Sequence, residues 1–189
     1  MDNKLKIINY LGKHIGKSFT MLELSKITRI PYATFYRVVQ EMNDLLTIVT
    51  VGKAKTVTLH TQNAAIKSYL IISSEEDKKE FLEKHLIIKK IATELNTRDT
   101  IVLFGSLAKG TERIASDIDI LVINKKGEKS LSFSKYEMLF KKKINPIFVT
   151  KSEFIMMLHE TEENVGKQAL ENHIILNNSE LFWECVLHG

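Results

Sequence analysis

Residues 101–123, IVLFGSLAKGTERIASDIDILVI, set two apolar runs on either side of a polar segment carrying two glycines, two serines and a pair of aspartates. Ile101 to Phe104 reads as a short apolar strand that stops at Gly105-Ser106, where glycine permits a tight turn and a close approach of backbone to a ligand. The second run opens with SDIDILVI. On a strand, side chains alternate between faces, so Asp117 and Asp119 point the same way, about 6 to 7 Å apart at Cα, while Ile118, Ile120 and Val122 line the other side. Burying such a pair without partners is costly. The fold must therefore leave the two carboxylates at an exposed strand edge or give them cations.

The residues between the strands favour the second outcome. LAKGTER suits a short helix whose first amides face outward toward an anion, and phosphate is the natural ligand. Ser106 can add its hydroxyl, and Lys109 or Arg113 a positive charge. Gly105 and Gly110 have the spacing of a P-loop, but Thr111 and Glu112 follow Gly110 where that loop needs a Lys-Ser/Thr pair, which excludes it. Two convergent carboxylates at the head of an apolar strand suit a hard cation such as magnesium.

Charge divides the 189-residue chain unevenly. Residues 1–62 hold nine lysines and arginines against four acids, whereas residues 63–189 hold 18 against 19, so the whole basic excess of +4 lies in the first third. This predicts two modules, the first facing a polyanion. Leu5, Ile7, Ile8 and Leu11 suit an amphipathic helix closed near Gly12 or Gly16. Ser18 or Thr20 can cap a second helix with Leu22, Leu24 and Ile27 as its buried stripe. Pro31 suits the first turn of a third, in which Phe35, Val38, Val39, Met42 and Leu46 recur at helical spacing. The opposite face of that third helix carries Thr34, Tyr36, Arg37 and Gln40. TIVTVGKAKTVTLHT then reads as a hairpin with a basic tip, Gly52, Lys53, Ala54 and Lys55.

Three helices and a hairpin resemble a winged helix-turn-helix domain over residues 1–62. The resemblance implies double-stranded DNA as partner, with Thr34, Tyr36, Arg37 and Gln40 reaching bases or phosphates and Lys53 and Lys55 holding backbone phosphate. Winged helices also serve as docking or dimerisation modules. Residues 63–97 read as a helical connector, with Ser73 or Ser74 ahead of Glu75, Glu76 and Asp77 as a helix start. Phe81, Leu82, Leu86, Ile87, Ile88 and Ile91 make a wide apolar stripe there, a candidate also for joining two copies in a homodimer.

In residues 98–189, Gly-Ser, ten residues and Asp-x-Asp are similar to the signature of the DNA polymerase beta-like nucleotidyltransferase superfamily. Gly110 and Ser116 extend the likeness to its minimal prokaryotic members. The resemblance implies an α+β fold with a mixed sheet and helices against it. It implies NTP as substrate, bound by Gly105, Ser106, Lys109, Gly110, Arg113 and Ser116, and two Mg2+ ions on the catalytic pair Asp117 and Asp119. The reaction it implies transfers an NMP to a hydroxyl on an acceptor that the sequence does not name.

Active members of that superfamily usually carry a third carboxylate on a later strand, and the matching strand here, KKINPIFVT, has Asn145 at that place. Asparagine can ligate a metal through its oxygen but cannot act as a carboxylate base. An Asn-Pro here is familiar in members that join a winged helix to the transferase domain. The competing expectation is a DNA-binding transcriptional regulator whose transferase domain binds nucleotide without turnover; a toxin or antitoxin component follows from analogy alone. Glu153, the nearest acid downstream, reads as the second half of a capping box with Thr150.

Other features are bland. No run reaches the roughly 18 to 20 apolar residues of a membrane helix, and MDNKLKIINYLGKHIGK lacks a signal-peptide core, so the expected location is cytoplasmic. Cys185, the one cysteine, reads as a small buried thiol. His159-Glu160 opens like a zinc-protease helix, but Glu163 stands where its second histidine belongs. Trp183 reads as the anchor of a C-terminal helix.

Overall fold

The computed structural model describes residues 1–113 and 116–189. Two compact units divide the chain, Met1–Glu76 and Asp77–Gly189. The division falls inside the segment expected to be a connector.

The first unit contains α1 (Asn3–Lys13), β1 (Phe19–Thr20), α2 (Met21–Ile27), α3 (Tyr32–Glu41), β2 (Leu46–Val51), β3 (Ala54–Leu59) and the start of α4 (Ile66–Lys84). Asp2 caps α1, and its buried face is Ile7, Ile8 and Leu11. Thr20 caps α2 in a reciprocal box, with Glu23 N–H donating to its Oγ1 at 3.2 Å and the Thr20 amide donating to Glu23 at 2.7 Å. α3 turns Phe35 and Val39 into the core, joined there by Leu24, Met42 and Val57. β2 and β3 pair antiparallel through a two-residue turn, Gly52-Lys53, in which Gly52 alone adopts a positive φ of 60°. A positive φ confined to the first central residue is the type II′ pattern, whose twist matches the strands it joins.

Four details of this unit depart from the sequence reading. α3 ends at Glu41, so Leu46, expected on that helix, opens β2 instead. Leu22 and Ile27 are exposed rather than buried, and Met21 and Ser25 line the core beside Leu24, a face with the three- and four-residue spacing of a helix. β1 adds a third strand beside β3, too short for its alternation to show in the sequence. Ser73 and Ser74 do not start a helix: α4 begins at Ile66 and passes through both. The buried Ser73 hydroxyl donates to the Leu70 carbonyl at 2.9 Å, so a residue suited to capping is satisfied within the helix instead. Asn63 supplies the turn before α4, its side-chain oxygen accepting from the Ala65 amide at 2.8 Å.

The second unit contains the end of α4 and α5 (Leu86–Glu94), β4 (Thr100–Phe104), α6 (Gly105–Lys109), β5 (Ile118–Ile123), α7 (Ser134–Phe140), β6 (Ile144–Val149), α8 (Lys151–His159), α9 (Val165–Glu171), β7 (Ile174–Asn177) and α10 (Ser179–His188). Its sheet runs in the order β6-β5-β4-β7, with β5 and β6 parallel and the other pairs antiparallel, so it is mixed. One core gathers Ile101, Leu103, Ile118, Ile120 and Val122 with Ile88 and Ile91 of α5 and Tyr136 of α7. Alternation turns Val102, Leu121 and Ile123 to the opposite face, also buried, where α9 and α10 pack on β4. Phe182, Trp183 and Cys185 are the buried face of α10. The Phe182 ring meets Phe154 and the buried His173, and the Trp183 ring meets His173, at centroid distances near 5 Å.

Much of the apolar stripe expected to be available for pairing copies is spent inside this unit. Ile88 and Ile91 are buried, and Phe81, Leu82 and Ile87 pack against the same core; Leu86 alone projects, 71% exposed. Among the described residues no helix is long and apolar enough to cross a membrane.

Candidate functional site

The site is built at the ends of three adjacent strands. β4 stops at Phe104, directly opposite Asp119 of β5, and the chain turns at once into α6 through Gly105 with φ 76°. A Cβ at Gly105 would lie 2.3 Å from Asp119 Oδ2, so a glycine is required by conformation and by space together. α6 lasts five residues and ends on Gly110, a left-handed C-cap. The Ser106 carbonyl accepts from the Thr111 amide at 3.0 Å, which closes the short helix.

The chain then returns to β5. Ser116 Oγ accepts from the Arg113 amide at 2.8 Å and the Ser116 amide donates to the Arg113 carbonyl at 2.9 Å, which ties Ser116 in place directly before Asp117. Residues 114 and 115 of the motif lie outside the described residues. Asp117 and Asp119 are both half-buried, and Ile118 between them is in the core, as strand alternation requires.

β6 supplies the third member. Its parallel register sets Asn145 beside Asp119. Asn145 Nδ2 donates to Asp117 Oδ2 at 3.0 Å and to Asp119 Oδ1 at 3.3 Å. One oxygen from each aspartate therefore converges on a single atom. The same register carries Lys143 to Asp117, with Nζ 3.6 Å from Oδ2, and Lys142 Nζ donates to the Ser116 carbonyl at 3.4 Å.

The structure thus sets Gly105 against Asp119 and joins Asp119 to Asp117 through Asn145. Ser106 is half-buried one residue beyond Gly105, Gly110 caps α6, and Lys109 and Arg113 are exposed on either side of it. Lys142 and Lys143 were not singled out in the sequence. The run KKK two residues ahead of Asn145 was the available signal, but it needed the register of β6 against β5 to place it. Glu153 is engaged elsewhere: its carboxylate accepts from the Thr150 amide at 2.6 Å and the Thr150 hydroxyl at 2.8 Å. Those hydrogen bonds, the backbone one first, hold its pKa below the usual carboxylate value. Burial pushes the Cys185 thiol up, which suits an inert core residue.

The donors present fit a hard divalent cation: two carboxylate oxygens already converge, and Asn145 would add its amide oxygen after a rotation about its terminal bond. Among the described residues no group of three His, Cys, Asp or Glu side chains is placed to hold a metal ion, and Asn145 is a side chain that touches both aspartates. In the first unit, Tyr36, Arg37 and Gln40 are exposed along α3 and Thr34 is half-buried. Lys55 Nζ stands 5.6 Å from the centre of the Tyr36 ring, which ties the hairpin to that helix.

Residues 85–176 match the family model of the nucleotidyltransferase domain, a span that contains Gly105, Asp117, Asp119 and Asn145. The match supports a place in the nucleotidyltransferase superfamily for this stretch of the chain, and NTP is the substrate consistent with it. Comparison with curated proteins and with solved structures gives no match.

Proposed function

We propose that this protein transfers an NMP from an NTP to a hydroxyl acceptor in a Mg2+-dependent reaction, and that its N-terminal unit is a winged helix-turn-helix that binds duplex DNA. The observation that carries the first part is the convergence of Asp117 and Asp119 on one point, with Gly105 pressed against Asp119. A bound divalent cation would supply Lewis acidity and charge neutralisation there. Asp117 and Asp119 hold it, Asn145 offers an amide oxygen, and Gly105, Ser106, Lys109, Gly110, Arg113 and Ser116 hold the triphosphate. The acceptor oxygen bonds to the α-phosphorus, the bond from that phosphorus to the bridging oxygen breaks, and pyrophosphate leaves. Asn145 cannot take the acceptor proton, which passes to solvent. Lys143 fits a further role in holding the outgoing charge.

The protein incubated with labelled NTP and Mg2+ is expected to release pyrophosphate, and Asp117→Ala/Asp119→Ala is expected to reduce release to background. Wild-type release by that double variant would exclude the mechanism. The N-terminal part is supported by three helices followed by a tight hairpin and by the Lys55–Tyr36 contact. In that reading Thr34, Tyr36, Arg37 and Gln40 face the duplex and Lys53 and Lys55 its phosphates.

One observation favours a second reading, a DNA-binding regulator that holds NTP without turnover. The Asn145 amide already satisfies one oxygen on each aspartate, so the pair is stable without a cation and lacks its carboxylate base. Mg2+-dependent NTP binding with no pyrophosphate release, and release gained in Asn145→Asp, is the outcome that selects this reading.

A further inference from the structure

A cleft of about 520 Å³ opens in the N-terminal unit between the starts of α2 and α3 and the tip of the hairpin. Its chemistry differs from that of a surface meant only to read base edges. Tyr32 and Tyr36, one helical turn apart on α3, line it and are 49% and 38% exposed, while Phe35 and Val39 of the same helix fill the core. Leu22, 53% exposed, adds an apolar wall. Lys53 and Lys55 line the hairpin side, and Lys55 Nζ lies over the Tyr36 ring. Two partly exposed aromatic rings with two ammonium groups beside them suit a stacked base with a phosphate on its flank. The volume falls in the range of small-ligand sites.

Bases inside an intact duplex offer only their edges, because each face is covered by the next base pair. A tyrosine ring stacks on a base face most readily where no neighbouring base covers it, as in a single strand. We propose that this cleft seats an unpaired nucleotide of a single-stranded or frayed nucleic acid, its base against Tyr32 or Tyr36 and its phosphate on Lys53 and Lys55. The inference rests on reading the N-terminal unit as a nucleic-acid module, and it adds Tyr32 as the residue that separates single-strand from duplex recognition.

The test is fluorescence anisotropy of the full chain with a labelled oligothymidylate and, separately, a blunt mixed-sequence duplex. Tyr32→Ala is expected to weaken oligothymidylate binding on the order of tenfold and to leave duplex binding within about twofold, since stacking per base is worth that much. Tyr32→Phe keeps the ring and is expected to restore single-strand affinity. A thermal melt followed by circular dichroism confirms that each variant is folded. Oligothymidylate that fails to bind while the duplex binds overturns the inference and leaves the duplex reading standing. Equal loss on both probes, no loss on either, or a phenylalanine variant as weak as alanine overturns it as well. Insensitivity of duplex binding to Arg37→Ala counts instead against the wider DNA reading.

Discussion

Gly105 shows how much a single position can demand. Its φ of 76° lies in the left-handed region, where a side chain costs roughly 1–3 kcal/mol, and the space a Cβ would take belongs to Asp119 Oδ2. Gly105→Ala is therefore expected to lose at least that much stability in urea denaturation and to displace the Asp119 carboxylate. Calorimetric titration with Mn2+ should show weakened binding in the same variant. An alanine variant with wild-type stability and metal affinity would mean that the turn relaxes freely and positions nothing. Asn145 illustrates the opposite case. Its identity was plain in the sequence, but its contact with both aspartates depends on β6 lying parallel to β5 in one register.

Elements are held in place by a few polar clamps around apolar faces. Glu94, at the end of α5, accepts from Lys135 Nζ at 2.8 Å and from the Tyr136 hydroxyl at 3.1 Å, both on α7, and pairs with Lys90 one turn back. The hydrogen bonds from Lys135 and then Lys90 lower its pKa to about 2. A carboxylate depressed on folding adds stability above its ordinary pKa, near 4.5, and that contribution fades as pH falls toward 2. Because the group is solvent-accessible the effect is small and screened by salt. Glu94→Gln is expected to flatten the acid limb of a stability-versus-pH curve between about pH 4.5 and 2, and to leave the curve's shape near neutrality unchanged. An identical acid limb in both proteins would show that the clamp adds nothing. The start of α4 is not visible at the residue scale: Ser73 and Ser74 have the chemistry of caps, but both are buried inside a helix that begins at Ile66.

At the scale of the molecule, charge and chemistry are partitioned between two units. The basic excess lies in residues 1–62, and the nucleotidyltransferase match lies in residues 85–176. If the first unit engages backbone phosphate, duplex affinity falls linearly on a log–log plot against salt, and each lost contact reduces the slope by about 0.9. Arg37→Ala and Lys53→Ala are each expected to weaken duplex binding and flatten that slope, while Lys167→Ala, in the other unit, should do neither. Unchanged slopes in both of the first two variants would remove the DNA partner from the proposal.

What the sequence determined by itself was local and periodic. The alternation in SDIDILVI put Asp117 and Asp119 on one face, Gly105 marked the turn, and Phe35 and Val39 marked the buried side of α3, because side-chain period and backbone freedom are properties of short segments. Tertiary structure decided whatever needed two distant segments at once. The register of β6 on β5 brought Asn145 and Lys143 to the aspartates, and the fold of the hairpin against α3 opened the cleft at Tyr32. The physical reason is that register and packing are set by the burial of whole faces, and no short stretch of chain contains both faces.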